Sequence, residues 1–283
     1  MRALMRLAAV LPLSALHVIG AALGWTMYLL SAGYRRHLAA NLAQAGYLDG
    51  RTRRAAIVSA GRMILELPAI WLRPRARVLA WIRRIEGRER VESALAAKQG
   101  VVFLTPHIGC FEITAQLAAE HFPITVLYRE PKLGFLEPLI AQGRTRHNMR
   151  LAPADLAGVR VLLAALRRGE AVGILPDQVP GEGEGAWADF FGKPAYTMTL
   201  AMKLAARPNT ATFIAFGERL PRGAGFAVHI RPLPAALAGE SPGRRLNRAI
   251  EELVRESPGQ YLWGYNRYKV PRRAAQSASA SEP

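Results

Sequence analysis

The chain has 283 residues, enough for one large domain or two small ones, and its 38 basic and 21 acidic residues give a formal net charge of +17. Hydrophobic residues make up 51% of the chain and the mean hydropathy is +0.06, which excludes both a disordered chain and a polytopic transporter. A single cysteine, Cys110, excludes an intrachain disulfide framework and a cysteine-rich zinc module, and the charge indicates a phosphate-rich or acidic partner.

The first element is a stretch of 28 residues without formal charge between Arg6 and Arg35. As a helix it would be roughly 42 Å long, against a hydrocarbon core of about 30 Å. We therefore predict that residues 1–34 form an uncleaved membrane anchor, which either spans the bilayer or lies tilted in its interface. The alternative is a cleaved signal peptide, but the stretch is long for one and lacks a clear cleavage site. Basic residues are more numerous after the stretch, which places the body of the protein in the cytoplasm.

Residues 35–99 are predicted to form a basic helical region beside the membrane. They contain 14 Arg or Lys and 5 Asp or Glu, so +9 of the total charge lies here. Apolar residues recur at helical spacing between about Arg53 and Leu72. Charge beside a membrane helix favours inner-membrane lipids with anionic head groups as the partner, although a solvated basic face is the simpler interpretation. No nucleic-acid-reading module accompanies the charge, so we expect no nucleic-acid binding.

Residues 100–273 predict an α/β core with a mainly parallel central sheet flanked by helices, and residues 274–283 a disordered tail. Apolar, β-rich runs alternate here with helical patterns. The predicted strands are 101–105, 124–128, 171–175, 211–216 and 226–230. The predicted helices are 111–121, 133–149, 155–168, 197–206 and 243–256.

Polar residues directly follow three of these strands. They are His107 after the first strand, Arg129 and Glu130 after the second, and Asp177 and Gln178 after the third. Ligands gather at the carboxyl ends of parallel strands, so we expect these side chains to face one crevice.

His107 is the candidate general base. If it lies in the turn after the strand and Glu112 lies in the opening turns of the next helix, the carboxylate can accept the Nδ1 hydrogen bond and leave Nε2 free. Gly109 would allow a close approach to the turn, and helix N-terminal amides could support an oxyanion. The simpler interpretation is a surface or capping histidine.

Several motifs of this sequence together resemble those of a known family. His107 with Glu112 resembles the H-x4-D/E motif of glycerolipid acyltransferases, and the remaining motifs resemble the bacterial lipid A late acyltransferases of the lauroyl/myristoyl type. These motifs are an early NLAQAGY segment followed by a helix carrying Glu66, then LYRE, PDQ with FFGKPAYT, and PGQYLWGYNRYK. The sequence departs from the family pattern at Gly264-Tyr265-Asn266, where the family more often has His-Arg.

The resemblance implies transfer of a fatty acyl chain from acyl carrier protein to a hydroxyl of a lipid A precursor. His107 would deprotonate that hydroxyl and Glu112 would orient His107, with no metal, cofactor or covalent acyl-enzyme. Cys110 lies inside the motif, but nothing in the sequence indicates a reactive thiol there. The implied location is the bacterial inner membrane, with the catalytic domain on the cytoplasmic face.

Four further positions are predicted to bind substrate. Arg129 and Arg144 are the candidates for acceptor phosphates, because a guanidinium can bind phosphate bidentately. Asp177 and Gln178 are expected to position the acceptor or to brace arginine side chains. Weaker arginine candidates on the same stretch, with ordinary solvated charges as the alternative, are Arg146 and Arg150.

The glycine-rich loop before residue 192 carries three aromatic candidates. Trp187, Phe190 and Phe191 are predicted to line the acyl-chain groove or to touch the membrane, with core filling as the alternative. The loop matches neither nucleotide-binding glycine pattern. Two other functions stay open: an acyltransferase for a phospholipid or another glycolipid, and a non-catalytic, basic membrane-surface binding protein.

Overall fold

The protein is described here by a computed structural model that covers residues 9–129, 137–145 and 147–271. The strands are β1 (Ile82–Glu86), β2 (Gly100–Leu104), β3 (Ile124–Tyr128), β4 (Met149–Pro153), β5 (Ala171–Ile174), β6 (Gly185–Phe190), β7 (Lys193–Met198), β8 (Thr210–Arg219) and β9 (Phe226–Pro232). Seven of them form one sheet in the order β1-β9-β8-β2-β5-β3-β4, and β6 and β7 form a separate hairpin.

The helices lie before, between and after these strands. They are α1 (Leu13–Leu30), α2 (Ala32–Gln44), α3 (Gly50–Leu72), α4 (Arg75–Leu79), α5 (Arg88–Ala96), α6 (Phe111–His121), α7 (Glu137–Arg144), α8 (Leu156–Arg167), α9 (Leu200–Ala205) and α10 (Pro242–Glu256). Short 3-10 turns occupy Pro221–Gly223 and Pro258–Gln260.

The sheet is mostly parallel, as predicted. Strand β2 pairs in parallel with β5 and β8, and β3 pairs in parallel with β4 and β5. Strand β9 reverses direction against β8, and β1 runs parallel to β9. The strands from β8 to β4 therefore share one direction, and their carboxyl ends lie along one edge.

Helices cover both faces of this sheet, which confirms the predicted α/β architecture. Alternate residues of a strand point to opposite faces. In β2, Val102 and Leu104 pack in a cluster with residues of α8, α9 and α10. Val101 and Phe103 pack in another cluster with residues of α5 and α6. Because both faces are covered, every residue of β2 is buried.

The segment at residues 35–99 shares this sheet and core. Strand β1 belongs to the sheet through its pairing with β9, and Leu42 and Ile57 pack in the same cluster as Val102. Three of the five residues of β1 are charged, and β4 contains Arg150 and ends in a proline, so neither segment has an apolar run from which a strand could be predicted. Residues 133–149, predicted as one helix, contain α7 and the first residue of β4.

The uncharged N-terminal stretch contains two helices in succession. Ser31 ends α1 and caps α2 by accepting a hydrogen bond from the Tyr34 backbone N–H. Helix α1 and the longer α3 are both long and apolar enough to be candidate membrane spans. They pack against each other where Gly61 of α3 faces Gly20 and Gly24 of α1, so closely that a Cβ on Gly61 would lie 2.0 Å from the Gly20 carbonyl oxygen.

Candidate active site

His107 and Asp177 meet because their strands are neighbours in register. Strands β2 and β5 pair Leu104 with Ile174, and the backbone N–H of Thr105 continues the ladder by donating to the Ile174 carbonyl at 2.9 Å. His107 and Asp177 are each three residues beyond this pair, so the two chains bring them to the same point on the carboxyl edge.

Asp177 holds His107 through two hydrogen bonds. Oδ1 of Asp177 lies 2.8 Å from Nδ1 of His107, and Oδ2 accepts the His107 backbone N–H at 2.9 Å. Asp177 is only 2% exposed. Burial by itself would raise the pKa of this carboxyl, but the charge of His107 and these hydrogen bonds outweigh burial and hold the pKa below its usual value.

The other ring nitrogen of His107 faces Gln178. Nε2 of His107 lies 3.2 Å from the Gln178 side-chain nitrogen. An ionised carboxylate only accepts hydrogen bonds, so Nδ1 carries a proton, and in the neutral ring the lone pair of Nε2 accepts from the Gln178 amide. The arrangement therefore presents Nε2 as a base, at a ring that is 13% exposed.

The predicted hydrogen bond between Glu112 and His107 is wrong, because Asp177 occupies Nδ1 and Glu112 binds Arg144. Nε of Arg144 donates to both Glu112 oxygens at 3.2 and 3.0 Å, and Nη2 donates to Oε2 at 2.6 Å. Glu112 lies in the first turn of α6, where its side chain points to α7. The pair therefore ties α6 to α7 and leaves Arg144 engaged by protein.

The turn that carries His107 is fixed by backbone hydrogen bonds. The N–H of Gly109 donates to the Gln260 carbonyl at 3.0 Å, and the N–H of Cys110 donates to the Gly217 carbonyl at 2.7 Å. Gly109 has φ 59°, and a Cβ there would lie 2.0 Å from the Gly217 oxygen, so only glycine fits. These two amides are satisfied by protein and are not free to bind an oxyanion.

The remaining predicted arginines differ in their surroundings. Arg129 directly follows β3 and is exposed at the carboxyl edge of the sheet. Arg150 is exposed on β4 and lies 3.7 Å from Glu170. Glu130 and Arg146 lie outside the described residues. Of the two arginines predicted to bind acceptor phosphates, Arg144 is bound by Glu112, whereas Arg129 is exposed to solvent at this edge.

The aromatic candidates lie on the β6–β7 hairpin. Phe190 is 1% exposed and belongs to the main core cluster, so its predicted place in an acyl groove or at the membrane is wrong. Phe191 is half-buried and packs on Phe190, Trp263 and the Arg255 guanidinium. Trp187 is 42% exposed and packs its edge on Tyr196.

An apolar cavity lies instead between α6 and the sheet. Its volume is about 50 Å³. Phe111, whose ring centre is 4.9 Å from that of His107, lines it at the start of α6. Apolar side chains farther along its wall include Phe103, Leu117, Phe122, Val126 and Ile230. The cavity therefore lies along α6, and its lining residue Phe111 separates it from His107.

The C-terminal block braces the residues after β5, which was not predicted from the sequence. The Tyr265 hydroxyl accepts the Val179 backbone N–H at 2.9 Å. Tyr261 is 5% exposed, and burial, followed by the charge of Asp177, raises the pKa of its phenol well above the usual range. The resemblance had marked this block without assigning roles, and only the fold shows that it contacts Asp177 and its loop.

Cys110 is buried at the end of the turn that carries His107, with 2% exposure. Burial, reinforced by the charge of Glu66, raises the pKa of its thiol well above the usual value. Within the described ranges there is no group of three or more His, Cys, Asp or Glu side chains placed to hold a metal ion.

Residues 1–270 match the profile of a family described as bacterial lipid A biosynthesis acyltransferase. The lipid A biosynthesis lauroyltransferase of Escherichia coli is 25% identical over 216 residues, which is 75% of this chain and 70% of that protein. The palmitoleoyltransferase of the same organism is 25% identical over 215 residues, covering 75% and 69%. A lipid A biosynthesis acyltransferase of Haemophilus influenzae is 27% identical over 272 residues, covering 92% and 86%.

Proposed function

Because the chain belongs to the bacterial lipid A biosynthesis acyltransferase family, its reaction is acyl transfer to lipid A, and we propose that acyl carrier protein is the donor and His107 the general base. The single observation that carries the mechanism is the Asp177–His107–Gln178 arrangement next to Phe111, which lines an apolar cavity. A base with its proton on Nδ1, beside a space for a hydrocarbon chain, is what this transfer requires.

In the proposed reaction, the acceptor hydroxyl displaces the Gln178 amide and binds Nε2 of His107. His107 takes the hydroxyl proton as the oxygen attacks the thioester carbonyl carbon, so that a new C–O bond forms. The tetrahedral intermediate collapses by breaking the C–S bond, and His107 returns the proton to the leaving thiolate. Positioned proton transfer of this kind contributes roughly 10²–10⁴-fold to the rate.

Asp177 is the positioning residue for this base. Its two hydrogen bonds fix the ring orientation and the tautomer of His107, and its negative charge stabilises the imidazolium formed during attack. Glu112 acts on His107 only indirectly. Together with Arg144 it holds the first turn of α6, which begins directly after the turn that carries His107.

The acyl chain of the donor is proposed to enter the cavity between α6 and the sheet, which has a volume of about 50 Å³ and has to widen to admit a whole chain. Apolar walls favour a hydrocarbon chain, with about 25 cal/mol gained for each Å² of apolar surface removed from water. We therefore propose this cavity, and not Trp187, Phe190 and Phe191, as the site that binds the acyl chain. Of these, Trp187 is the residue that is still exposed enough to touch lipid.

Charge supports both proposed polar partners. The formal net charge of +17 favours an acidic carrier protein and the phosphates of the acceptor. Arg129, exposed on the catalytic edge, is the proposed phosphate ligand. Proteins of this family are membrane-associated, and we place the catalytic domain on the cytoplasmic face of the inner membrane, where the donor would be available.

A donor and acceptor panel tests this proposal. Full-length protein in detergent would be given acyl carrier protein thioesters or coenzyme A thioesters, with a purified lipid A precursor, a phospholipid or another glycolipid as acceptor. We expect transfer to the lipid A precursor with the carrier thioester preferred. Transfer to the phospholipid or other glycolipid alone would reassign the acceptor, and no transfer by folded protein would favour a non-catalytic binding function.

A further inference from the structure

Helix α1 carries a mostly apolar face on the outside of the protein, with Ser14 and Thr26 as its exposed polar residues. Its large exposed side chains are Val18, Ile19, Trp25, Leu29 and Leu30. Their exposed fractions run from 37% to 82%, and they extend over most of the helix. No acidic residue precedes Asp49 in the chain. The exposed face is therefore apolar, and the chain up to residue 48 contains basic residues but no acidic residue.

The start of α1 is docked on the α/β body. Leu13 and Leu16 belong to a core cluster that also contains Phe226 and Val228 of β9. Nε2 of His17 lies 2.7 Å from Oε1 of Glu66. Glu66 in turn binds Arg219 at the carboxyl end of β8 through two hydrogen bonds of 2.7 and 2.8 Å.

The 3-10 turn after β8 closes against the same end of α1. A Cβ on Gly223 would lie 2.5 Å from the Cα of Ser14, so the two backbones are in direct contact. Gly223 also has φ 72°, a conformation that glycine adopts without strain.

The middle and the end of α1 are docked as well. Gly24 approaches α3 so closely that a Cβ would lie 2.2 Å from the Ile57 carbonyl oxygen. At the far end, Tyr28 packs against the main core cluster. The Arg35 guanidinium donates to the Tyr28 carbonyl at 2.8 Å and also to the Leu29 carbonyl, which closes the helix end.

From these contacts we infer that α1 lies in the plane of the membrane surface, with its exposed face in the head-group and acyl boundary, and does not span the bilayer. An 18-residue helix is roughly 27 Å long. A spanning helix would carry one end across the bilayer, away from a body on one side. Here both ends and the middle of α1 contact that body. The helix can therefore contact lipid only through its exposed side.

Charge at both ends of α1 fits an anionic bilayer lying alongside the helix. Arg222 is exposed in the turn that contacts Ser14, and Arg36 is exposed just beyond the far end. A spanning helix concentrates basic residues at its cytoplasmic end, whereas an in-plane helix can use arginines at both ends to bind anionic head groups. Trp25 belongs to the residue types that favour this boundary.

The in-plane position also places the active site. Arg219, which ties α1 to the body through Glu66, ends β8 at the same sheet edge as His107, because β8 and β2 are parallel. A helix lying on the lipid thus holds the catalytic edge close to the head groups, where the hydroxyl of a lipid acceptor is found. The inference itself rests on the docking of α1 and not on the proposed function.

Depth measurement on single cysteines tests the inference. Cysteines at Val18→Cys, Ala22→Cys and Leu29→Cys would carry a nitroxide in the full-length protein on vesicles of phosphatidylethanolamine and phosphatidylglycerol. Native Cys110 is buried and should not label. We expect all three sites at one shallow depth, about 5–10 Å below the surface. Leu237→Cys, on an exposed loop residue, is the aqueous control.

Two other outcomes would overturn the inference. A spanning helix gives a graded depth that differs by roughly 16 Å between positions 18 and 29, at 1.5 Å for each residue. A face that does not meet lipid gives aqueous signals at all three sites, like the control.

A charge variant provides an independent measurement. Val18→Asp should lower vesicle binding at least tenfold, while leaving transfer to detergent-dispersed substrate unchanged, because the side chain of Val18 is 70% exposed and points away from the body of the protein. Unchanged vesicle binding by this variant and by Leu29→Asp would contradict the in-plane helix even if the transferase activity is confirmed.

Discussion

The carboxylate of Asp177 binds both the ring Nδ1 and the backbone N–H of His107, at 2.8 and 2.9 Å, across two neighbouring strands. The carboxylate five residues after His107 along the chain, Glu112, binds Arg144 instead. The two acidic residues therefore have different partners: Asp177 holds His107, and Glu112 holds the helix that follows it.

Replacement of Asp177 should affect catalysis more than folding. Asp177→Asn can donate to Nδ1 and so favours the wrong tautomer of His107, and we expect kcat to fall by roughly 10³–10⁴-fold. Steady-state kinetics measure this, with circular dichroism to confirm the fold. The matched control is Asp155→Asn, because asparagine can keep the cap hydrogen bond that Asp155 makes to Gly158. Equal loss in both variants would contradict the assignment.

Replacement of Glu112 should affect stability first. Glu112→Gln leaves Arg144 in a buried site without its counter-charge, and removing one partner of a buried pair costs roughly 3–5 kcal/mol. Denaturant unfolding in detergent measures the loss, and Arg144→Met in the same chain should recover part of it. If Glu112→Gln instead keeps full stability and changes the pH–rate profile as Asp177→Asn does, then Glu112 acts on His107 directly.

The cavity predicts how acyl chain length is selected. Ala115 and Ala118 both line it from α6, about one helical turn apart. Ala115→Phe, nearer to His107, should lower transfer of all chain lengths, whereas Ala118→Phe should reject long chains and keep short ones. Competition between thioesters of different length measures the preference, and melting temperatures control for overpacking. Identical length profiles for both variants and the wild type would exclude this cavity as the acyl site.

Cys110 should be dispensable for the reaction. Its thiol is buried, and burial raises its pKa well above the usual value, which disfavours the thiolate that a nucleophile requires. Cys110→Ala should keep kcat within a few-fold of wild type, and iodoacetamide should not inactivate the native enzyme. Loss of transfer in a folded Cys110→Ala protein, together with a trapped acyl-enzyme, would support a covalent route.

Asp177 also predicts a pH dependence of stability. Its folded-state pKa is below the unfolded value of about 3.9. Its contribution is therefore complete above about pH 4 and is lost as the pH falls further through the folded-state pKa. The stability difference between wild type and Asp177→Asn should shrink as the pH falls below 4. A difference that is constant with pH would show that the carboxyl is not held ionised by His107.

The strand-end residues could be predicted from sequence, but their pairing could not. Apolar runs located β2 and β5, and the parallel arrangement placed His107 and Asp177 on one edge. Which carboxylate reaches Nδ1 depends on the register that pairs Leu104 with Ile174, and no sequence pattern fixes that register. Proximity along the chain favoured Glu112, while the side-chain direction in the first turn of α6 sends it to Arg144.

The cavity between α6 and the sheet was not predicted for a related reason. It is formed by small and apolar residues from α6 and several strands, each of which has an ordinary core pattern in the sequence. The aromatic run at 190–191 was the more visible signal, but Phe190 closes the hairpin against the core. A cavity is a property of how elements pack, so alternation of apolar residues does not show it.

The most direct test of the account is transfer from an acyl carrier protein thioester to a purified lipid A precursor by three proteins under single-turnover conditions. These are wild type, His107→Ala and the control His147→Asn, in which asparagine tolerates the positive φ of this exposed turn residue. We predict equal transfer by wild type and His147→Asn, and a loss of at least roughly 10²-fold in His107→Ala. Transfer by His107→Ala at the wild-type rate would contradict His107 as the base.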